Sequence, residues 1–429
     1  MNEKIQALRG FLDGSPSPYH AVAQLKETLE GRGYTRLLEH EPWRLAPGGK
    51  YYLTRGGSAL VAFRVPEGRI RGFVMSASHC DRPGFKVKEN GELTAAYTRL
   101  AVERYGGMLM APWLDRPLSI AGRVTVETEK GVENRLVNID RDLLLIPNVA
   151  IHMNRQANDG YKWNPAVDLL PLVGTKNAAG KLEALLKEAA GGEILGRDLY
   201  LYLRQKSSLW GVEEEFLSAA GLDDLECVWG CAQGFLNAGA SESIPLLCVF
   251  DSEEVGSCSV QGAASTLLAD TLGRISASLG EDLKRLLAQS FLVSADNAHA
   301  LHPNHPEYAD GTNAPVLGGG VVLKFNANLS YCTDGVSAAV FRKICARAGV
   351  PVQTYCNRAD LPGGSTLGHI SLAQVSVPTA DIGLAQLAMH SCWETAAVAD
   401  ALSLEQAMTA YYGTTLEATE NGIELRAGS

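Results

Sequence analysis

Five segments concentrate the residue types that hold metal ions or move protons: "SASHCDRPGF", "GLDDLEC", "FDSEEVGS", "VSADNAHALHPNH" and "LAMHSCWE". They supply His79 and Asp81, Asp223 and Asp224, Glu253 and Glu254, Asp296 with His299, His302 and His305, and His390. Most of them follow an apolar run, as Leu246, Leu247, Val249 and Phe250 precede the glutamate pair. In open α/β sheets, sites form beyond the carboxyl ends of strands. A mixed imidazole and carboxylate set suits zinc, cobalt or manganese, and argues against iron–sulfur or copper–thiolate chemistry. The Glu253–Glu254 pair is the sharpest signal. Adjacent carboxylates repel, and burying one unpaired is costly. Cations at that strand end would remove the cost.

Each segment also has an ordinary alternative. A single histidine after a strand is usually a surface or satisfied core residue. Asp223 and Asp224 make an ordinary helix start, and Glu253–Glu254 can be two solvated charges. Pro303 and Pro306 break any helix that would align the three nearby histidines. The information lies in the set and its order.

The elements that must position these residues alternate between strand and helix. Ser17, Pro18 and the apolar spacing of Ala21, Val22, Leu25 and Leu29 predict a capped helix. "KYYLTR", "ALVAFRV" and "RGFVMSA" predict strands, the last ending at His79. From about residue 90 the pattern turns to strands and hairpins, with one helix near "GKLEALLKEAA". At Asp223 the α/β alternation resumes. It predicts a helix from "DDLECVWGCAQGFLNAG", a strand over 246–250, a helix over about 259–288, strands over 290–294 and 319–325, and a helix over 335–348. Further strands are expected at "VQTYC" and "QVSVPTADIG", and a C-terminal helix from near Ser391. The expected organisation is an α/β catalytic domain in two parts, 1–89 and 223–429. A β-rich insertion over 90–222 interrupts it.

Composition narrows the function classes. The 429 residues carry a net charge of −10 and no basic run, which disfavours nucleic acid and anionic membranes as partners. No stretch of 18 apolar residues predicts a membrane span. The first residues lack the apolar core of a secretory signal, and the nine cysteines form no CxxC pair. A reducing, cytoplasmic setting is therefore expected.

The order of the segments resembles the aspartyl aminopeptidase family of dinuclear metallo-aminopeptidases. The resemblance spans nearly the whole chain and rests on "SHCDRPGFKVK", "YGGMLMAPWLDRPLSIAGRV", "IPNVAIHM", "LDDL", "DSEEVGS", "SADNAHALHPNH", "LPGGSTLGHI" and "DIGLAQLAMHS". It implies a zinc-exopeptidase-like mixed central sheet flanked by helices. It also implies two divalent ions per subunit, zinc first, with cobalt or manganese as alternatives. His79 and Asp296 would hold one, Glu254 and His390 the other, with Asp223 bridging. Glu253 would be the general base, and Asp81 would orient the His79 imidazole, a usual device around metal ligands.

The same resemblance implies that His152 reaches a neighbouring subunit's site within a tetrahedral dodecamer. Substrates would be peptides with an acidic N-terminal residue, Asp or Glu. Lys324, in "VVLKF", would meet that acidic side chain, with His302 and Gly364 also at the substrate. A lysine there is odd for a buried strand, although an edge or snorkelling lysine is the ordinary alternative. "LPGGSTLGHI" lacks the phosphate-loop pattern. His369 and Trp393 stand where the family commonly has proline and arginine, which leaves substrate preference more open than the reaction. The competing readings are a same-scaffold aminopeptidase of neutral specificity, a related deacylase, and a non-catalytic self-assembling shell protein. A degenerate shell protein should have lost a ligand or Glu253, and none is missing.

Overall fold

The computed structural model describes residues 3–361 and 363–427. Its centre is a nine-stranded mixed sheet. Four parallel strands form the middle, in the order Ile244–Phe250, Phe73–His79, Phe291–Ala295 and Thr379–Gly383. Every residue of these four strands is buried. Strands hidden on both faces need helices on both faces. The strand alternation divides the sheet between two cores. Leu247 and Val249 face one, and Leu246, Cys248 and Phe250 face the other.

The first core is covered by helices Pro18–Gly31, Leu222–Asn237, Gly335–Ala348 and Val398–Tyr412. The second is covered mainly by Leu267–Leu279, with Leu286 and Leu367 from shorter helices. No described helix is long and apolar enough to cross a membrane.

A six-stranded sheet lies outside this frame, with strands Gly84–Thr94, Tyr97–Tyr105, Leu118–Thr128, Gly131–Asn138, Leu172–Thr175 and Ile194–Leu203. It packs its own core with helix Lys181–Ala190. Residue 90 falls inside its first strand, and its last strand ends at Leu203. Residues past Leu203 belong to a third sheet of five short strands: Ser208–Trp210, Phe216–Ala219, Glu394–Ala397, Ala385–Leu387 and Ala298–His299.

Several elements differ from the sequence expectation. The helix expected over 259–288 is two: Leu267–Leu279 ends at left-handed Gly280, and Leu283–Leu287 starts from an Asp282 cap. The glycine and the aspartate break a continuous apolar pattern. The C-terminal helix starts at Val398, because Glu394–Ala397 is taken as a strand of the third sheet. Helix Glu3–Asp13 was not foreseen. Ser17 occupies the cap position before Pro18, but its hydroxyl pairs with His20 Nδ1 at 2.8 Å.

Helix Leu222–Asn237 crosses helix Val398–Tyr412 at very short range. A Cβ on Gly234 would lie 2.4 Å from Met408 Cβ and 2.8 Å from its backbone carbon. Gly273, on helix Leu267–Leu279, has open space around it. Gly234→Ala should therefore destabilise by about 1–3 kcal/mol through overpacking. Gly273→Ala should stabilise by about 0.4–1 kcal/mol. Urea denaturation of both variants checks this, and equal midpoints would contradict the close helix crossing.

Candidate active site

The ends of the parallel strands deliver the chemistry. His79 closes strand Phe73–His79, and Glu253 and Glu254 follow strand Ile244–Phe250. Asp296 follows Phe291–Ala295. Asp223 opens helix Leu222–Asn237 through a cis peptide bond to Asp224. His390 sits at φ 66° in the tip between strands Ala385–Leu387 and Glu394–Ala397.

These residues converge. Asp223 lies between two imidazoles, with Oδ1 3.5 Å from His79 Nε2 and Oδ2 3.5 Å from His390 Nε2. His390 Nε2 is also 3.4 Å from Glu254 Oε2. His79, Asp223 and Glu254 can offer ligand atoms all within 4.8 Å of one another, and so can Asp223, Asp224 and Asp296. The carboxylates of Asp223, Glu254 and Asp296 are almost wholly buried.

The electrostatics of the cluster favour added cations. Burial pushes the Glu253 carboxyl up to about 8 and Asp296 up to about 6, with neighbouring carboxylates adding to the Glu253 shift. Burial also drives Glu254 and Asp224 well above the usual carboxylate range. Burial alone would raise Asp223, yet the imidazoles of His390 and His79 hold it below that range. Burial would lower both imidazoles, but Asp223 raises His390 to about 9 and, with Asp81, holds His79 well above its ordinary value. So many acids cannot ionise together in a dry site without added positive charge. Asp223 Oδ1, Asp224 Oδ1 and Glu254 Oε1 are buried without a hydrogen-bond donor among the described residues. Unpartnered carboxylate oxygens beside two imidazole Nε2 atoms form a donor set that fits divalent metal.

A ring of further contacts holds the donors in place. The Asp81 carboxylate accepts the backbone N–H of Glu253 at 3.0 Å, that of Glu254 at 3.1 Å, and the Tyr105 hydroxyl at 2.8 Å. His79 Nδ1 lies 3.1 Å from the Asp81 carbonyl oxygen and 3.3 Å from its carboxylate. Asp81 therefore ties one strand end to the turn that carries both glutamates. Glu394 accepts the backbone N–H of Asp223 at 3.1 Å and of His390 at 2.8 Å. His390 Nδ1 faces the Gly107 carbonyl at 2.7 Å.

Sequence reasoning did not assign a role to Glu394, Tyr105, Gly106 or Gly107. Gly106 has φ 73°, and a Cβ there would lie 3.1 Å from Glu254 Cβ. Both facts favour glycine. The signals were a glutamate four residues past His390 and the "YGG" run at a strand end.

The remaining expected residues lie at varied distances from this centre. His152 is exposed on a turn of the second sheet's long loop, with no hydrogen bond to the centre among the described residues. His302 and Gly364 line a cleft of about 340 Å³ with Tyr308, Tyr355 and Arg358. Lys324 is 1% exposed and does not line that cleft. Its ammonium donates to the carbonyls of Asp296 at 2.6 Å and Asn297 at 3.2 Å, directly behind the Asp296 carboxylate. Trp393 packs against the core of the second sheet. His369 lies on helix Leu367–Gln374, with a buried Nδ1 that has no partner among the described residues. Pro362, in the glycine-rich segment, lies outside the described residues.

Residues 11–412 match the family model described as aminopeptidase I zinc metalloprotease (M18). The chain belongs to the M18 family of zinc metallo-aminopeptidases. A probable M18 family aminopeptidase 2 of Clostridium novyi (strain NT) is 43% identical over 419 residues, covering 93% of this chain and 97% of the relative. Its counterpart in Pseudomonas entomophila (strain L48) is 40% identical over 414 residues, covering 94% and 96%. Among solved structures, a chain of the Ape4 and Nbr1 complex superimposes with a TM-score of 0.92 at 34% identity, covering 95% of this chain and 85% of that one. The S. cerevisiae mApe1 dodecamer gives a TM-score of 0.84 at 27% identity, with 95% of both chains covered.

For this M18 chain, the contacts made by Glu394 lead to a direct expectation. Metal ligands depend on the groups that orient them, and losing such a group costs about 10–100-fold in metal affinity. Glu394→Gln replaces an acceptor oxygen with a donor facing backbone N–H. Its zinc affinity, measured by competition with a chelator, should fall by about that factor. Unchanged affinity would remove Glu394 from the support of the site.

Proposed function

We propose that this M18 aminopeptidase uses two divalent metal ions, zinc in the first instance, to remove an acidic N-terminal residue from peptides. The convergence of His79, Asp223, Glu254, Asp296 and His390, with carboxylate oxygens left unpartnered, carries this reading. His79 and Asp296 would hold one ion, Glu254 and His390 the other, and Asp223 both. When bound, such ions polarise a scissile carbonyl and bring the pKa of a water towards neutrality.

The chain's own residues do the rest. Glu253 takes a proton from the attacking water and returns it to the leaving amine. Its neighbour Glu254 points to His390 instead, so the two carboxylates divide into base and ligand. Asp81 orients the His79 imidazole and fixes the turn that aims both glutamates. Lys324, held behind Asp296 by the carbonyls of Asp296 and Asn297, would favour an acidic substrate side chain through its charge rather than by direct contact. His302 and Gly364 would contact the peptide in the cleft.

The active form is a homo-oligomer, for which a tetrahedral dodecamer is the reading. The similar mApe1 is a dodecamer. His152 would complete a neighbour's site, in keeping with its exposure beside exposed Ile151 and Met153.

Glu253→Gln should keep its metal content yet lose about 10²–10⁴-fold in turnover. Metal analysis alongside kinetics reads both, and an active variant would remove Glu253 as the base. A panel of N-terminal Asp, Glu and Leu peptides, before and after chelation, tests the substrate. Equal rates on Asp and Leu would overturn the acidic preference while leaving the aminopeptidase intact. Sedimentation of His152→Ala beside the wild type should show the same large assembly with reduced activity. A monomeric wild type would exclude any role for His152 in a neighbour's site.

A further inference from the structure

A cavity of about 610 Å³ lies away from the metal-ligating cluster. It opens at the far end of the strand that leads to the glutamate pair. Residues 239–243 and Pro245 form one wall, at the start of strand Ile244–Phe250. Five residues of strand, Leu246 to Phe250, separate that wall from the turn carrying Glu253 and Glu254, roughly 17 Å of extended chain. Arg64, at the end of the neighbouring strand, forms another wall, and Thr415 and Arg426 of the C-terminal hairpin close the third side.

The charge of this cavity runs against that of the chain. The protein carries −10 overall, yet Lys50, Arg64, Arg69 and Arg426 all line the cavity. The acids nearby are largely spoken for. Glu242 pairs with Arg71, and Glu417 pairs with Arg71 and Arg426. Lys50, Arg64 and Arg69 form no ion pair among the described residues, and only Glu67 of the lining acids is also unpaired. Arg64 donates Nη1 to the Ala238 carbonyl at 3.0 Å and lies over the Phe235 ring at 5.4 Å. Its Nε and Nη2 are shielded from solvent without a hydrogen-bond partner among the described residues, and so is the hydroxyl of buried Ser243. With no acidic partner among the described residues, the Arg64 guanidinium keeps its full charge at the cavity wall. A concave basic pocket in an acidic protein focuses its field on small anions, and the volume suits a metabolite-sized ligand.

We propose that this cavity is a second binding site, separate from the metal-ligating cluster, for a small polyanion with closely spaced phosphate or carboxylate oxygens. Lys50 and Arg69 supply mobile charges at its rim, and Arg64 supplies a fixed one at its wall. The proposal concerns binding at the far end of the sheet and does not depend on which peptides the enzyme cleaves.

Isothermal titration of the full-length, zinc-loaded protein tests it, using tripolyphosphate and, separately, tricarballylate. At least one should bind saturably, more weakly as salt is raised, and which one binds better tells a phosphorylated ligand from a polycarboxylate. The double substitution Lys50→Glu and Arg69→Glu should weaken binding about tenfold or more, with peptidase kcat and KM unchanged. Ala240→Trp, at an exposed position of the lining, should weaken it by filling the mouth without changing charge. Failure of both probes to bind at millimolar concentration overturns the proposal. So does binding that survives either variant, because the anion would then sit elsewhere, the metal-ligating cluster included.

Discussion

The structure is organised around the cost of packing acids together. Asp81, Asp223, Asp224, Glu253, Glu254 and Asp296 all sit at or near one end of the central sheet, most of them deeply buried. Such a group is tolerable only with positive charge among it. The imidazoles of His79 and His390 supply part of that charge by flanking Asp223. Metal ions would supply the remainder, acting at the unpartnered oxygens of Asp223, Asp224 and Glu254. Glu253 and Glu254 are adjacent in sequence but divided in environment: Glu254 reaches His390, whereas Glu253 is influenced most by His79, Asp296 and Asp81.

Everything else in the fold serves that arrangement. The four parallel strands bring His79, Asp296 and the glutamate turn to one edge. The third sheet binds the remaining pieces together. Its strands Phe216–Ala219, Ala298–His299, Ala385–Leu387 and Glu394–Ala397 flank Asp223, Asp296 and His390 in space. Glu394, within that sheet, holds the backbones of two candidate ligands with one carboxylate. The second sheet adds Tyr105, Gly106 and Gly107 from a single strand end, touching Asp81, Glu254 and His390 in turn. The second sheet is thus part of the site's wall within one chain.

The two ends of the sheet have opposite electrostatic character. One gathers carboxylates and leaves several oxygens without donors; the other gathers lysine and arginine, of which Lys50, Arg64 and Arg69 form no ion pair among the described residues. The strand Ile244–Phe250 runs between them, buried throughout. The same sheet geometry makes a depression at both ends, and the side chains around each decide its ligand chemistry.

Much of this was legible in one dimension. Apolar runs that stop at His79, at the glutamate pair and at Asp296 are local patterns, and local patterns survive in sequence because strand burial dictates them. The α/β class and the residue types of the candidate metal cluster could be read this way, whereas the mixed sheet was implied only by the family resemblance. The helix over 259–288 was misjudged because Gly280 and Asp282 interrupt an otherwise continuous apolar period. The start of the last helix was misjudged because Glu394–Ala397 has a partner, Phe216–Ala219, far away in sequence. The partners of Glu394, the reach of Tyr105 to Asp81 and the burial of Lys324 behind Asp296 have no local signature. The sequence by itself determined which atoms could bind metal and roughly which strand ends would present them. Only the tertiary structure decided how those atoms are aimed, because aim is set by hydrogen bonds between segments tens to hundreds of residues apart, and no periodicity encodes such pairs.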